Sequence, residues 1–400
     1  MTITNASDVY WDPYDQAIDA DPYPTFRRLR DEAPLYYNAE HDFYALSRFE
    51  DVERSLLDPS TFISGKGGIL ELIKSGIEMP PGILIFEDPP THTIHRRLLS
   101  RMFTPKRVAA LEPKIREFCA RSLDPFVGEE GFDLVTDFGA LIPMWTIGML
   151  LGIPEADQMA IRDQTDDNLR TERGQPMEVN PERLGNGELF EEYIDWRADH
   201  PSDDIMTELL HAEFEDETGT VRTLTRPEIL TYLAVVAGAG NETTARLIGW
   251  SGKVLAEHPD QRRELVEDRS LIPGAIEELL RFETPAPHAG RVTSRDVELH
   301  GQTIPENSAV LMLNGSANHD DRRFPDPDRF DIHRADGTHI TFGYGIHFCL
   351  GAALARLEGR VALDEVLTRF PEWDVDMVNA RTAPTSTVRG WESLPITTRA

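Results

Sequence analysis

A single cysteine near the C-terminal end of the chain lies in a setting that favours chemistry. Residues 342–351 read FGYGIHFCLG, so glycines flank Cys349 on both sides, and a helical pattern, AALARLEGRVALDEVL, follows directly. Glycine permits positive φ and a close approach of the backbone to a ligand. The start of the next helix is expected to direct N–H groups at the sulfur, which predicts a lowered pKa for the thiol. Such a thiolate serves as a nucleophile or as a metal ligand.

Three kinds of site use one activated thiolate. A zinc site is poorly supported, because His347 and Cys349 supply two ligands and no C-x-x-C or H-x-x-x-H pattern completes a set of four. A Cys–His hydrolase stays open, since its partners can lie anywhere in the sequence. A haem iron needs one protein ligand, a flat apolar slot and a wall on the opposite side. The other cysteine, Cys119, has the pattern of a buried core residue and is assigned no function.

A long helical segment is a candidate for that opposite wall. Its pattern runs over residues 225–258, which at 1.5 Å per residue spans roughly 50 Å. Gly238 and Gly240 stand at its midpoint, where each costs about 1 kcal/mol relative to alanine. Glu242 and Thr243 follow within an apolar stretch, where a carboxylate is costly to bury. A helix with these residues at its centre is expected to bring its backbone close to a bound group.

These residues together resemble the cytochrome P450 family. The segment FGYGIHFCLG is similar to the family's haem-binding loop, Phe-Gly-x-Gly-x-His/Arg-x-Cys-x-Gly. The matching positions are Phe342, Gly343, Gly345, His347, Cys349 and Gly351. Three further motifs occur in the family's order, so the resemblance spans nearly the whole chain. They are AGNETT at 239–244, similar to the distal oxygen-activation motif, Glu278-x-x-Arg281 in EELLR, and FPDPDRF at 324–330, which resembles the meander and carries Arg329.

The resemblance implies a haem b cofactor held between two parts of the chain. Cys349 is expected to be the axial thiolate, with Phe342 packed against the ligand loop, and a thiolate ligand favours O–O cleavage over reversible oxygen binding. On the distal side, Ala239 and Gly240 are expected to lie beside the haem, and Glu242 with Thr243 to deliver protons to bound oxygen. An alternative for Thr243 is a hydrogen bond back to the carbonyl of residue 239.

The resemblance also assigns charged residues around the haem. His92 and Arg96 of HTIHR, with Arg291 and His347, are expected to bind the propionates through charge-assisted hydrogen bonds. Glu278, Arg281 and Arg329 are expected to form a buried triad that braces the proximal side. A cationic patch near the HTIHR helix is a candidate docking face for an acidic ferredoxin, and its residues are His95, Arg97 and Arg101.

Composition and charge exclude several classes of protein. The net charge of −30, from 70 acidic and 40 basic residues, argues against a general binder of nucleic acid or of anionic membranes. Two cysteines argue against a disulfide framework and favour the cytoplasm. No stretch approaches the roughly 20 apolar residues that cross a bilayer, and MTITNASDVYWDPYDQ has no signal-peptide pattern.

The elements that must position these residues are mainly helical. Helical patterns cover most of 90–285, whereas β-rich parts are predicted at about 30–50 and 290–315. The predicted fold is therefore mainly α with a small β region, in the single large domain of the cytochrome P450 fold. Two stretches rich in glycine and proline, 64–85 and 170–188, are predicted to be loops that line or gate the substrate pocket.

The predicted reaction is monooxygenation. One atom of O2 enters a C–H bond of a small apolar substrate, with electrons from NAD(P)H through a separate ferredoxin and its reductase. The apolar stretch GILELIKSGIEMPPGILIF favours a terpenoid, a steroid or a branched lipid. The alternatives are a peroxygenase that uses hydrogen peroxide and a haem sensor without turnover. The pair Glu242 and Thr243 argues against both, and a Cys–His hydrolase would be colourless.

Overall fold

One long helix and one small sheet organise the rest of the secondary structure. The computed structural model describes residues 8–167, 170–180, 187–335 and 338–399. The α-helices in these residues are α1 Gln16–Ala20, α2 Tyr23–Glu32, α3 Phe49–Leu56, α4 Leu70–Ser75, α5 Thr91–Ser100, α6 Pro105–Ala109, α7 Glu112–Leu123, α8 Leu141–Leu151, α9 Glu155–Asp167, α10 Glu191–Asp199, α11 Ile205–His211, α12 Arg226–Glu257, α13 Pro259–Glu267, α14 Ile272–Phe282, α15 Asn314–Ala317 and α16 Ala352–Arg369. The strands are β1 Leu35–Asn38, β2 Phe43–Leu46, β3 Phe62–Ile63, β4 Gly131–Asp133, β5 Glu213–Glu215, β6 Val221–Thr223, β7 Ala289–Thr293, β8 Val297–Leu299, β9 Gln302–Ile304, β10 Ala309–Met312, β11 Trp373–Val375, β12 Arg381–Thr382, β13 Trp391–Ser393 and β14 Pro395–Thr398. The predicted class, mainly α with a small β component, is confirmed.

Helix α12 is the central element of the helical core and packs against α8, α14 and α16. Its start is fixed by a capping box. The Thr225 hydroxyl accepts from the backbone N–H of Glu228, and the Glu228 carboxylate accepts from the backbone N–H of Thr225 at 2.6 Å. The helix ends at Glu257, and the next helix begins at once with Pro259. The predicted span is confirmed to within one residue at each end.

The middle of α12 is where its packing is interrupted. A Cβ at Gly240 would lie 2.8 Å from Ile147 Cδ1, so this glycine lets α8 approach closely. A Cβ at Gly238, by contrast, would meet nothing within 4 Å. Ala239 is exposed and Thr243 half-buried, although most of the residues around them are buried. One face of the helix centre therefore borders open space within the core, while the close approach at Gly240 is to another helix.

The main sheet has the strand order β1-β2-β10-β7-β3. Strand β10 runs parallel to β2, and the other pairs are antiparallel, with Val310 opposite Arg291. Strands β1, β2 and β7 to β10 lie within the two predicted β-rich regions. Strand β3, sheets β11-β14-β4 and β12-β13, and hairpin β5-β6 lie outside the predicted β-rich regions.

The two predicted loops differ from each other. The first contains the short helix α4, which packs against β7 and β10. Of the second, residues 181–186 lie outside the described residues, and 170–180 contain no helix or strand. The backbone N–H of Thr171 donates to the carbonyl of Pro384 at 2.8 Å, which ties this segment to the turn before β13. No single helix in the described ranges is long and apolar enough to cross a bilayer. One bent pair, Val135–Leu151 with Glu155–Gln164, meets the length and composition only when taken together.

The loop before α16 rests on the small β-rich side of the molecule. Gly345 has φ 67°, and a Cβ there would lie 2.6 Å from the carbonyl oxygen of Leu56 at the end of α3. Helix α3 in turn packs with the main sheet in one hydrophobic cluster. Glycine at 345 is therefore required both by the left-handed backbone and by the neighbouring carbonyl.

We expect Gly345→Ala to destabilise the protein more than Gly301→Ala does. Gly301 has φ 73°, and a Cβ there would meet no neighbouring atom. Gly301→Ala therefore costs only the strain of a left-handed alanine, about 1 kcal/mol. Gly345→Ala adds a backbone clash and is expected to cost about 3 kcal/mol. Chemical denaturation of both variants measures this, and equal losses would mean that the contact with α3 does not constrain the loop.

Candidate active site

The loop that carries Cys349 is folded by its own backbone. The N–H of Cys349 donates to the carbonyl of Phe342 at 2.8 Å, and the N–H of Gly343 donates to Ile340 at 2.8 Å. Gly343 has φ 68°, so the chain turns twice through left-handed conformations before the cysteine. Gly351 is the N-cap of α16, and the N–H groups of residues 351 and 352 point at the sulfur. These contacts hold the thiol at the start of the helix.

The predicted lowering of the Cys349 pKa is wrong for the protein alone. Desolvation by burial raises the pKa of this thiol, and the backbone N–H groups with the guanidinium groups of Arg96 and Arg356 only oppose that rise. The Cys349 side chain is nevertheless exposed. A sulfur that faces a space surrounded by protein can be both accessible to a ligand and shielded from bulk water. An isolated thiolate there is unfavourable, whereas a bound metal ion would deprotonate the thiol outright.

Phe342 covers the loop on the side of α16. Its ring centroid lies 4.5 Å from the Arg356 guanidinium and 6.2 Å from the ring of Phe348. Arg356 is held in turn by the carboxylate of Glu277 at 2.7 Å. These contacts agree with the prediction that Phe342 packs against the ligand loop.

Four cationic or titratable side chains converge near Cys349: His92, Arg96, Arg291 and His347. The rings of His92 and His347 lie 4.3 Å apart, and Nε2 of His347 is 3.1 Å from the Ser64 hydroxyl. Both ring nitrogens of His92 are buried without a hydrogen-bond partner. Among the described residues, no carboxylate lies within ion-pair distance of any of the four, although Asp and Glu outnumber Lys and Arg in the chain.

Burial dominates the electrostatics of these four groups. Burial, followed by the charges of Arg291, His92 and Arg96, lowers the pKa of His347 to about 3. Burial lowers the pKa of Arg291 to about 10, and it also lowers the pKa values of Arg96 and His92. The two histidines are therefore neutral near pH 7, and the positive charge resides on Arg96 and Arg291, where burial without a carboxylate in ion-pair contact is costly. A ligand that carries carboxylates would remove this penalty, which is the property expected of a propionate site.

On α12, the predicted distal pair has its own partners. Thr243 Oγ donates to the carbonyl of Ala239 at 3.2 Å, which is the alternative hydrogen bond considered above. Glu242 is buried, and its Oε1 accepts from the guanidinium of Arg246 at 2.6 Å. Its other oxygen, Oε2, is buried without a partner. The pair therefore combines a half-buried hydroxyl with a carboxylate that has one oxygen free.

The predicted buried triad needs one correction. Glu278 and Arg281 form a buried bidentate ion pair at 2.7 and 2.8 Å, as expected. The side chain of Arg329, however, is 69% exposed and pairs with Asp331. The third member is instead Arg334, whose Nε lies 3.1 Å from both oxygens of Glu278 and whose side chain is 11% exposed. Arg329 contributes its backbone carbonyl, which accepts from Arg334 at 2.8 Å.

The predicted docking patch also changes. His95 is buried, and its Nδ1 lies 2.8 Å from both oxygens of Glu87, so it does not belong to a surface patch. Arg97 and Arg101 are exposed. Helical spacing accounts for the difference, because residues 92 and 95 of α5 share its buried face whereas residues 97 and 101 lie on the opposite face.

Several residues that contribute to the site were missed from the sequence. Arg246 stands four residues after Glu242, and this helical spacing was a usable signal for an ion pair. Arg334 and Ser64 reach the site from loops, where spacing predicts no contact. The donor set fits a haem: one soft sulfur ligand, and beside it two arginines and two histidines with no carboxylate in ion-pair contact among the described residues.

Comparison with known proteins agrees with this arrangement. The family model of cytochrome P450 matches residues 188–388. The putative cytochrome P450 123 of Mycobacterium tuberculosis is 39% identical over 394 residues, 97% of each chain. The structure of CYP109Q5 from Chondromyces apiculatus superposes with a TM-score of 0.85 at 33% identity and covers 98% of both chains. That of CYP109E1 from Bacillus megaterium in complex with testosterone has a TM-score of 0.85 at 29% identity over 96% of this chain and 100% of that one.

The family match and the fold together define a cytochrome P450 monooxygenase. The chain belongs to the cytochrome P450 family. Membership implies a haem with a cysteine thiolate as its axial ligand, together with O2, an organic substrate and redox partners.

The corrected triad leads to a direct test with a matched control. Removing Arg334 leaves the buried Glu278 carboxylate short of one charged partner, so Arg334→Ala is expected to cost about 3–5 kcal/mol and to reduce the haem content. Arg329→Ala removes an exposed side chain and is expected to stay within about 0.5 kcal/mol of the parent. Urea unfolding and the ratio of Soret to protein absorbance measure both effects. A larger loss for Arg329→Ala would restore the original triad.

Proposed function

We propose that the chain binds haem b through Cys349 and oxidises a small apolar substrate at a C–H bond. The observation that carries this proposal is the cluster of His92, Arg96, Arg291 and His347, which has no carboxylate in ion-pair contact among the described residues and whose Arg96 lies in electrostatic reach of Cys349. Two propionates at this cluster would place the macrocycle beside the thiol. When bound, the haem supplies the reductive activation of O2 that the thiolate favours.

The residues of α12 are proposed to handle protons and to exclude water. Ala239 borders the open space at the helix centre, and a small side chain there leaves room for a flat group. The Thr243 hydroxyl is positioned to exchange its bond to the Ala239 carbonyl for a bond to a ligand or a water. Glu242 Oε2 is free to take up a proton and pass it on. This pair argues for O2 as the oxidant rather than hydrogen peroxide.

The substrate pocket is proposed to be apolar. Leu72, Ile83 and Phe86 form a separate hydrophobic cluster against which Val235 of α12 and Val179 of the 170–180 segment pack. An apolar wall of this kind favours a terpenoid, a steroid or a branched lipid. The complex of the related CYP109E1 with testosterone supports a steroid-sized ligand. A groove of about 470 Å³ between α4 and residues 176–179 is a candidate entrance.

Electrons are proposed to come from NAD(P)H through a separate ferredoxin and its reductase. The charges that remain of the predicted docking face are exposed Arg97 on α5 and exposed Arg101 directly after it. Both cysteines are free, which favours a reducing compartment and therefore the cytoplasm.

Cofactor binding is tested by spectroscopy on the purified protein. Reduction with dithionite under carbon monoxide is expected to give the red-shifted Soret band of thiolate ligation. Cys349→Ser is expected to lose this band, whereas Cys119→Ala, which changes a cysteine buried in the helical core, is expected to keep it. A Cys349→Ser protein with the parent spectrum and full turnover would contradict the assignment.

The substrate class is tested by a ligand panel. Steroids and terpenoids are expected to shift the Soret band, and charged hydrophilic metabolites are not. Val235→Asp puts a carboxylate into the apolar cluster and is expected to weaken steroid binding at least tenfold, about 1.4 kcal/mol. Val221→Asp serves as the control, because it makes the same substitution at a residue that is 67% exposed. Tight binding of a charged metabolite instead of a steroid would reject the apolar pocket.

A further inference from the structure

The ion pair between Glu242 and Arg246 differs from the other buried carboxylate pair near the haem site. Arg281 holds both oxygens of Glu278 through Nε and one terminal nitrogen, at 2.7 and 2.8 Å. Arg246 instead holds only Oε1 of Glu242, at 2.6 Å, and leaves Oε2 buried without a partner. A pair that serves stability alone gains from satisfying every polar atom. The free oxygen on Glu242 therefore needs another explanation.

Arg246 is itself fixed from the opposite side. A terminal nitrogen donates to the backbone carbonyl of Trp391 on β13. The aliphatic part of the side chain lies against Gly390, where a Cβ would come within 2.8 Å of Arg246 Cδ. The guanidinium consequently has little freedom, and the position of Glu242 Oε1 follows from that of β13.

The charged groups on the surrounding elements have their own partners. Arg389, before β13, pairs with Glu283, and Glu392 on β13 pairs with Arg170 at 2.7 Å. Among the described residues, Arg246 is the one cation in ion-pair contact with Glu242. Removing it leaves this buried carboxylate without a compensating charge.

We propose that Arg246 is a positioning residue for proton delivery, which holds Glu242 by Oε1 so that Oε2 is the atom that receives and passes on each proton. The proposal rests on the proposed role of Glu242 in the preceding subsection. In each cycle one proton from solvent forms an O–H bond at Oε2. The same proton then leaves toward the Thr243 hydroxyl or a water beside it, and the carboxylate is regenerated. Arg246 keeps its own protons throughout.

The proposal distinguishes the two ends of the carboxylate. A carboxylate free to rotate would present either oxygen, and a bidentate pair would present neither. One oxygen anchored by a guanidinium keeps the other aimed in a single direction. The spacing of four residues on α12 allows this without a second element, and β13 prevents the guanidinium from turning to take both oxygens.

The test uses the haem-loaded protein with NADPH, a plant-type ferredoxin and its reductase. The panel compound that shifts the Soret band most serves as substrate. Arg246→Gln is expected to lower product formed per NADPH at least fivefold, to raise hydrogen peroxide release, and to change the solvent isotope effect on NADPH oxidation. Arg246→Gln is also expected to shift the infrared carboxylate bands that Glu242→Gln removes, a readout that does not depend on turnover. Arg246→Lys is expected to restore at least half of the coupling.

Three further variants separate positioning from stability. Lys253→Gln breaks another i,i+4 ion pair of α12, with Glu257, and is expected to leave coupling unchanged. Gly390→Ala displaces the Arg246 side chain without removing its charge and is expected to give an intermediate loss of coupling. This variant tests the role of Arg246 even where Arg246→Gln fails to bind haem. In a double-mutant cycle, Arg246→Gln is expected to add nothing to Glu242→Gln, because it acts through that residue.

The outcomes that reject the inference differ from those that reject the proposed function. Parent-like coupling, isotope effect and carboxylate infrared bands in Arg246→Gln, together with impaired Glu242→Gln, would refute the role of Arg246 and leave Glu242 as the acid. Parent-like behaviour of Glu242→Gln would remove the proposed acid and the inference with it. Additive losses in the double variant would show that Arg246 acts through stability alone.

Discussion

Uncompensated positive charge in the interior is the constraint on which the site depends. The protein carries 70 acidic residues, yet no carboxylate that the structure describes approaches His92, Arg96, Arg291 or His347 closely enough to form an ion pair. Burial of charge without a partner opposes folding. The penalty is relieved by a ligand that brings its own anions, so the affinity for that ligand and the stability of the fold are linked. The Glu278 cluster, by contrast, is neutralised within the chain.

Two carboxylate clusters show how the same pairing chemistry serves two purposes. At Glu278, two arginines and the backbone N–H of Asp331 donate to the carboxylate, and backbone carbonyls of the meander accept from the same arginines. At Glu242, one arginine donates to Oε1, and Oε2 has no hydrogen-bond partner among the described residues. Burial is similar at both positions. The difference lies in the number of donors, and it separates a group that holds structure from a group that can exchange a proton.

Much of the fold and of the site was predictable where the pattern is local. The capping box at Thr225, the span of α12, the ligand loop and the Glu278–Arg281 pair all follow from short spacings along one element. Predictions failed where contacts come from distant segments. Arg329 and Arg334 are equivalent in sequence terms, and only the path of the meander buries one and exposes the other. His95 was read as surface charge because Glu87 lies in a loop whose approach to α5 no periodicity predicts. The thiol pKa was wrong because desolvation depends on the whole fold, whereas the helix N-terminus is a local feature.

The close approach of Gly345 to the carbonyl of Leu56 shows that the two halves of the chain depend on each other. The best-known signatures lie in the C-terminal half, and the family match begins at residue 188. The loop that presents the sulfur is nevertheless shaped against the end of a helix from the first sixty residues, and Ser64, His92 and Arg96 reach it from the first hundred. A fragment starting at the matched region would carry Cys349 but lack the surface that shapes its loop. The cofactor cradle is thus built jointly by both halves, and its completion couples the earliest and the latest parts of the chain.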